Sequence, residues 1–230
     1  MSWLERLRKG AAEVADKLSE KAEQAARYVA EQPGLLGDST AEMLAERDWR
    51  KAHRLAQDGV DASSAPAIIE LLEPHLAVDG NYGPLIGQLL GRAYQAAGRA
   101  EQATAAYQHA LALIRDPETR RATAMAVVEF NEQVAEELEL DLLLALASTA
   151  LTKGDYAACI RWALQARALD ERALTAYYLE GAAMLQQGFA SDAVAELFFK
   201  ALMLGEPATV RAWVAELIPD KLAWFESRTG

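Results

Sequence analysis

The segment Gly154-Asp-Tyr-Ala-Ala-Cys159 recurs in outline as Gly188-Phe-Ala-Ser-Asp-Ala193, which begins 34 residues later. A third version, Gly98-Arg-Ala-Glu-Gln-Ala103, lies upstream. Each version stands between two apolar segments of helical length. A period of this size, with glycine at the turn, is typical of stacked helix-turn-helix units. The chain is therefore predicted to be a stack of helical hairpins, an architecture suited to binding.

The composition agrees with a helical protein and disfavours some classes of function. The 230 residues are 52% hydrophobic, enough for a substantial core, and no strand-like alternation is present. A formal net charge of −11 disfavours general nucleic-acid binding, which requires clustered Lys and Arg. The single cysteine, Cys159, excludes an internal disulfide and fits a reducing cytoplasm. We expect no secretory signal and no membrane-spanning helix.

Residues 1–31 are predicted to form an N-terminal amphipathic helix, which ends at Pro33-Gly34. Residues 32–40, with Pro, two Gly and an Asp-Ser-Thr cluster, have the composition of a linker. The apolar residues of the helix recur at spacings of three and four, and those with a candidate binding role are Trp3, Leu4, Leu7, Val14 and Leu18. The opposite face carries six acidic and six basic residues.

Three roles are open for this helix. It could lie in a membrane interface, with Trp3, Leu4 and Leu7 inserted among the lipids. It could pair with a partner helix, because Leu4, Leu7, Ala11, Val14 and Leu18 follow a heptad pattern. It could also fold back on the rest of the chain as a cap. Its balanced charge gives little attraction to anionic lipid, so helix pairing is the favoured role.

The repeated segments resemble the tetratricopeptide repeat (TPR) family, in which small residues allow two helices to approach while large residues fill the gaps. The first copy carries this pattern at Leu90, Gly91, Tyr94, Gly98, Ala103, Tyr107 and Ala110. The second carries it at Leu143, Leu146, Ala147, Ala150, Gly154, Cys159, Ala163 and Ala166. The third carries it at Tyr177, Gly181, Met184, Gly188, Ala193 and Leu197. The resemblance implies an all-α fold, a right-handed α-solenoid of TPR-like hairpins.

On this basis the TPR-like region covers residues 41–205. Clear copies occupy about 84–117, 140–171 and 174–205, and a degraded copy with Gly59 at its turn occupies 41–79. Gly98 and Gly154 are 56 residues apart instead of 34, so an additional helix is predicted at about 118–137. Residues 206–230 are predicted to form a capping helix that bends or breaks near Pro219.

The resemblance also implies where a partner binds, since the first helix of each TPR lines a concave groove. The outward positions of those helices are Trp49, His53, Gln88, Arg92, Gln95, Ser148, Tyr178 and Gln186. Aromatic and polar side chains on such a wall suit an extended peptide or a helix. The basic clamp that some family members use for acidic tails is not reproduced, because Arg92 is the only cation of the set.

An enzymatic function finds little support in the sequence. The histidines His53, His75 and His109 have no Cys or His neighbour at ligand spacing, and no metal site or cofactor is expected. Cys159 occupies a small-residue position, which favours buried packing over a catalytic thiol. An acidic cluster at Glu136, Glu137, Glu139 and Asp141 is expected to be a solvated helix face.

The sequence therefore predicts a non-enzymatic scaffold or adaptor that binds a protein or peptide partner in its groove. The alternative is a membrane-associated assembly factor that uses residues 1–31 as an anchor and the repeats as a receptor. The expected location is cytoplasmic, with peripheral contact to the inner face of a membrane under the alternative. Self-association is a further use open to residues 1–31 and to the C-terminal helix.

Overall fold

The computed structural model describes residues 38–77, 80–126 and 131–229. Every regular element in these ranges is helical, which confirms the prediction of an all-α fold. The predicted amphipathic helix at residues 1–31, with its candidate contact residues Trp3, Leu4, Leu7, Val14 and Leu18, lies outside the described residues, as does most of the linker.

Eleven α-helices are present in the described ranges. They are α1 (Asp38–Leu55), α2 (Ala65–Leu72), α3 (Gly83–Ala96), α4 (Ala100–Arg115), α5 (Pro117–Ala126), α6 (Glu132–Lys153), α7 (Tyr156–Leu169), α8 (Leu174–Gln186), α9 (Ser191–Met203), α10 (Pro207–Leu217) and α11 (Leu222–Thr229). Short 3₁₀ turns at Glu73–His75 and Pro219–Lys221 follow α2 and α10.

Helices that follow one another in the chain pack against one another, because their connections are short. The helix α5 departs from this order: it contacts α4, while α4 packs directly against α6. Contacts between α1 and α3, and between α6 and α8, join alternate helices. This pattern agrees with a stack of helical hairpins into which α5 has been inserted.

The insertion differs from the predicted helix at 118–137. The helix α5 is described only to Ala126, and α6 already begins at Glu132 instead of near 140, where the second clear copy was predicted to begin. The Asn131 side chain accepts a hydrogen bond from the Val134 backbone N–H at 3.0 Å and so caps the N-terminus of α6. Val134, which lies within the predicted inserted helix at about 118–137, therefore belongs to α6.

The three turn glycines Gly98, Gly154 and Gly188 end α3, α6 and α8 in the same way. Each has a positive φ, between 72° and 84°, which glycine adopts without steric cost. At the first of these turns the Arg99 N–H bonds the Tyr94 carbonyl at 2.8 Å, and the Gly98 N–H bonds the Gln95 carbonyl at 3.0 Å. The same pair of bonds recurs at the other two turns, so all three are Schellman caps.

Two other glycines allow helices to pack closely. A Cβ atom at Gly91 of α3 would lie 2.4 Å from the ring of Tyr107 on α4. A Cβ atom at Gly181 of α8 would lie 2.5 Å from the ring of Phe198 on α9. Both rings are fully buried, so each aromatic side chain occupies the space that a larger residue on the first helix would need.

The buried apolar residues form two clusters. The larger extends from α1 to α8. The smaller joins Tyr177 of α8 to α9, α10 and α11. The predicted break at Pro219 is confirmed: α10 ends at Leu217, and the chain turns so that Ile218 and Phe225 are both buried against α9 and α10.

No helix among residues 38–77, 80–126 and 131–229 is both long enough and apolar enough to cross a membrane. The longest of them, α6, has 22 residues. Its sequence, EQVAEELELDLLLALASTALTK, contains several carboxylates near its N-terminal end.

Candidate functional site

The predicted groove residues all lie on the first helix of a pair. Trp49 and His53 are on α1, Gln88, Arg92 and Gln95 on α3, Ser148 on α6, and Tyr178 and Gln186 on α8. Side-chain contacts connect these helices across the pairs. Gln88 Nε2 donates to Asp141 Oδ2 of α6 at 3.4 Å, and the Tyr178 hydroxyl donates to Glu216 of α10 at 3.3 Å.

Four of the predicted residues line one cavity of about 400 Å³, which we call the central cavity. Its full lining is Gln88, Arg92, Gln95, Tyr107, Asp141, Leu144, Ala145 and Ser148. The α3 residues recur at spacings of four and three and therefore share one face of that helix. The structure thus brings together side chains of α3 and α6 that lie about 50 residues apart in the sequence.

Charged and polar groups in the central cavity are arranged around Arg92. The pKa of the Asp141 carboxyl is raised, mainly because the carboxyl is partly desolvated even though the residue as a whole is exposed. The positive charge of Arg92 lowers this pKa, and the negative charge of Glu137 raises it further. The Tyr107 hydroxyl donates to Gln95 Oε1 at 3.2 Å, and burial raises the pKa of this tyrosine. The Arg92 side chain remains exposed. The cavity therefore offers a cation, a carboxylate and amide groups above a floor that contains Leu144 and Ala145.

A second cavity, of about 550 Å³, lies farther along the same side of α6, and we call it the C-terminal cavity. It is lined by Leu151, Tyr156, Ala182, Leu185, Gln186, Glu216 and Leu217. Gln186 was predicted to face the groove, whereas the other six residues were not. Five of these seven residues are leucine, alanine or tyrosine, while Gln186 and Glu216 are polar and exposed.

The two cavities are neighbours along α6. Ser148 lines the central cavity and Leu151 lines the C-terminal cavity. These residues are separated by less than one helical turn, about 4.5 Å along the axis. We call the two cavities together the trough. Its floor is the outward face of α6, and its sides come from α3 and from α8 with α10.

The remaining predicted residues lie beside the trough and make contacts of their own. Trp49 stacks on His53 with 5.0 Å between ring centroids and also contacts Tyr82 at 5.3 Å. Tyr178 packs against Trp213 of α10 at 5.5 Å. Trp49 and Tyr178 are half-buried, so both contribute to packing as well as to the surface.

Other residues considered for chemistry have structural surroundings. Cys159 is buried, as predicted, and burial together with Asp155 and Glu180 raises the pKa of its thiol to about 11. His75 pairs with Asp48 at 3.0 Å. Within the described part of the chain, no group of three or more His, Cys, Asp or Glu side chains is placed to hold a metal ion.

The acidic cluster predicted near residue 140 is divided by the helix. Glu136 and Glu137 line a third cavity, of about 340 Å³, together with Leu140 and Leu169. Glu139 instead forms an ion pair with Arg115 at 2.7 Å, and Asp141 belongs to the central cavity.

Sequence reasoning missed most of the apolar floor of the trough. Leu144 and Leu151 lie on the opposite side of α6 from buried residues such as Leu142 and Leu146. A helix that is apolar on two faces is unusual at a surface, where one face is normally polar. That double pattern could have identified the floor without a structure.

The comparisons with known proteins found no family model that matches this chain. They also found no match among curated proteins.

Proposed function

We propose that this protein is a non-enzymatic scaffold or adaptor that binds a segment of another protein, as a peptide or a helix, in the trough. In this proposal the helical pairs form a right-handed TPR-like solenoid and the trough lies in its concave surface. The observation that carries the proposal is the central cavity, in which Gln88, Arg92, Gln95 and Ser148 from two separate helices meet.

The chemistry of the trough supports a protein segment as its ligand. Amide and guanidinium groups can bond peptide carbonyls and polar side chains, while the leucines of the C-terminal cavity can cover apolar side chains. Polar groups around an apolar centre are the usual anatomy of a protein interface. Nothing in the lining requires a small-molecule substrate.

Exposed residues of the trough provide the test. Arg92→Ala and Gln186→Ala should each weaken binding of a partner captured by the full chain, with little change in the free energy of unfolding, since both side chains are exposed. Arginine at an interface centre commonly contributes 1 kcal/mol or more, so we expect Arg92→Ala to weaken affinity by about tenfold.

The matched control is Arg121→Ala, which removes an exposed arginine from α5, outside the trough. Capture from a native extract, followed by titration of the identified partner, measures the effect. If Arg92→Ala and Gln186→Ala bind the partner as tightly as Arg121→Ala does, the trough is not the binding surface. Trp49→Ala and Tyr178→Ala are less suitable, because both side chains also pack against aromatic neighbours.

A further inference from the structure

The two cavities of the trough lie on different sides of α6. The central cavity is bounded by α3, whereas the C-terminal cavity is bounded by α8 and α10. Between them stand three half-buried residues of α6 itself, Leu144, Ser148 and Leu151. A ligand that occupies both cavities therefore has to cross α6 obliquely instead of lying along it.

The oblique path is short enough for a few residues of peptide. Asp141 is the first α6 residue of the central cavity, and Leu151, at the C-terminal cavity, comes ten residues later, about 15 Å along the helix axis. The gaps on either side of a packed helix are roughly 10 Å apart, so the path is about 18 Å long. About five residues of extended chain span this distance, at 3.2–3.4 Å each.

The polar lining suits an extended backbone. The side chains of Gln88, Gln95, Ser148 and Gln186 can each donate and accept hydrogen bonds. The exposed guanidinium of Arg92 forms no hydrogen bond or ion pair with any residue that the structure describes, so its N–H groups are available to carbonyl oxygens. An extended segment brings unpaired backbone N–H and C=O groups that need such partners, whereas a helix satisfies its own.

The charges of the trough favour a basic ligand. The charged residues that line the two cavities are Arg92, Asp141 and Glu216, so carboxylates outnumber cations. Glu137 adds negative charge near Asp141, and no ion pair joins Asp141 to Arg92 in the described part of the chain. The Asp141 carboxylate is partly desolvated, and a cation placed beside it would compensate for the lost solvation.

The C-terminal cavity suits an apolar side chain. Its three leucines, Leu151, Leu185 and Leu217, are all half-buried, so each still exposes apolar surface. One large aliphatic or aromatic side chain placed among them would remove that surface from water, which is the main source of affinity in such pockets. The hydroxyl of Tyr178 already donates a hydrogen bond to Glu216 at 3.3 Å, at the polar edge of this cavity.

We infer that the segment bound in the trough is a basic, extended peptide of another protein, which places a Lys or Arg side chain beside Asp141 and a large apolar side chain in the C-terminal cavity. About five residues separate the two side chains. This inference rests on the proposed function, because it names the class of segment that the trough binds.

Selection from a random peptide library displayed on phage, with the full chain as the target, tests the composition of the ligand. Enriched sequences should carry Lys or Arg about five residues from a large apolar residue and should contain few acidic residues. Enrichment of acidic sequences, of apolar residues at the helical spacings of three and four, or of no common pattern overturns the inference.

Charge exchange tests the contact with Asp141. A synthetic copy of the most enriched peptide, with both ends blocked, should bind Asp141→Lys about tenfold more weakly than the unchanged chain. Replacing the cation of the peptide by Glu should restore binding to that variant, which identifies the pair. Glu118→Lys, an exposed site on α5, is the matched control and should change nothing. Equal affinities of Asp141→Lys and Glu118→Lys would contradict the inference.

Two further substitutions keep this test decisive. Asp141→Asn preserves the shape of the side chain and should also weaken binding, so it replaces Asp141→Lys if the lysine disturbs α6. Proline placed midway between the cation and the apolar residue of the peptide should alter affinity by less than about fivefold, because extended backbone accommodates its φ. A loss of about a hundredfold or more would show that the peptide binds as a helix, and would overturn the extended conformation.

The inference and the proposed function can fail separately. If the selected peptide binds Arg92→Ala and Gln186→Ala as tightly as Arg121→Ala, it binds outside the trough and both proposals fail. If Arg92→Ala and Gln186→Ala weaken binding while the selected peptides are acidic, are helical or do not respond to Asp141→Lys, the trough binds a protein segment and only the inference fails.

Discussion

The two hydrophobic clusters are built from different residues. The larger, from α1 to α8, consists mainly of alanine and leucine, which allow long helices to approach closely. The smaller depends on aromatic side chains, with Phe198 and Phe225 fully buried and Trp213 and Trp224 packed around them. The helices α10 and α11 are short and contribute few side chains, so each must cover more area.

Both clusters nevertheless contain the same contact between a glycine and an aromatic ring. Tyr107 follows Gly91 by 16 residues, whereas Phe198 follows Gly181 by 17. The additional residue lies in the turn, since α4 begins two residues after Gly98 and α9 begins three residues after Gly188. Close packing of a helical pair therefore tolerates a one-residue change in turn length when the ring still reaches the glycine.

The largest expected effect is the loss of stability when a buried ring is removed from the smaller cluster, and it tests whether the two clusters unfold independently. Phe225→Ala should cost about 3–5 kcal/mol of local stability, because it removes a fully buried ring and leaves a cavity. Hydrogen exchange should show lost protection in α9, α10 and α11, while α3 and α4 keep theirs. Phe189→Ala is the matched control, since that ring is 49% exposed. An even loss of protection across both clusters would show that they unfold as one unit.

The next effect compares two kinds of glycine. Gly91→Ala should cost about 1–3 kcal/mol, because its Cβ would overlap the ring of Tyr107. Gly98→Ala should cost about 1 kcal/mol through its positive φ alone, since a Cβ there meets nothing within 4 Å. Urea unfolding measures both free energies.

A second substitution sharpens this comparison. Tyr107→Leu should recover part of the loss in Gly91→Ala and none of the loss in Gly98→Ala, because only the first depends on the ring. Gly181→Ala should resemble Gly91→Ala, with the damage now in the smaller cluster. If all three glycine variants lose the same stability, close contact with the rings is not what requires glycine.

The smallest expected effect is a loss of folding stability in acid that arises from Asp48 in α1. Burial raises the pKa of Asp48, but hydrogen bonds from Arg47 and His75 outweigh it, so the folded-state pKa lies below the ordinary 3.8. The ionised form therefore stabilises the fold above that value, and the contribution, about 1 kcal/mol, is lost as pH falls through the folded-state pKa. Asp48→Asn should abolish this step in unfolding experiments between pH 5 and about pH 2. An unchanged step would assign it to other carboxylates.

Much of the candidate site was predictable as single residues but not as an arrangement. Gln88, Arg92 and Gln95 share a face of one helix by spacing alone, so the sequence was sufficient to group them. Their meeting with Asp141, Leu144 and Ser148 depends on how α3 and α6 pack. The sequence also misplaced the start of α6, because Asn131 was not recognised as a helix cap.

Local interactions determined what the sequence alone could specify. The helical period, the Schellman caps at Gly98, Gly154 and Gly188, and the break at Pro219 depend on residues within one or two turns of one another, so they can be read along the chain. The trough was decided only by the tertiary structure, since its lining comes from helices that are distant in sequence. The direct packing of α4 on α6, past α5, sets which faces lie side by side, and no spacing of residues encodes that choice.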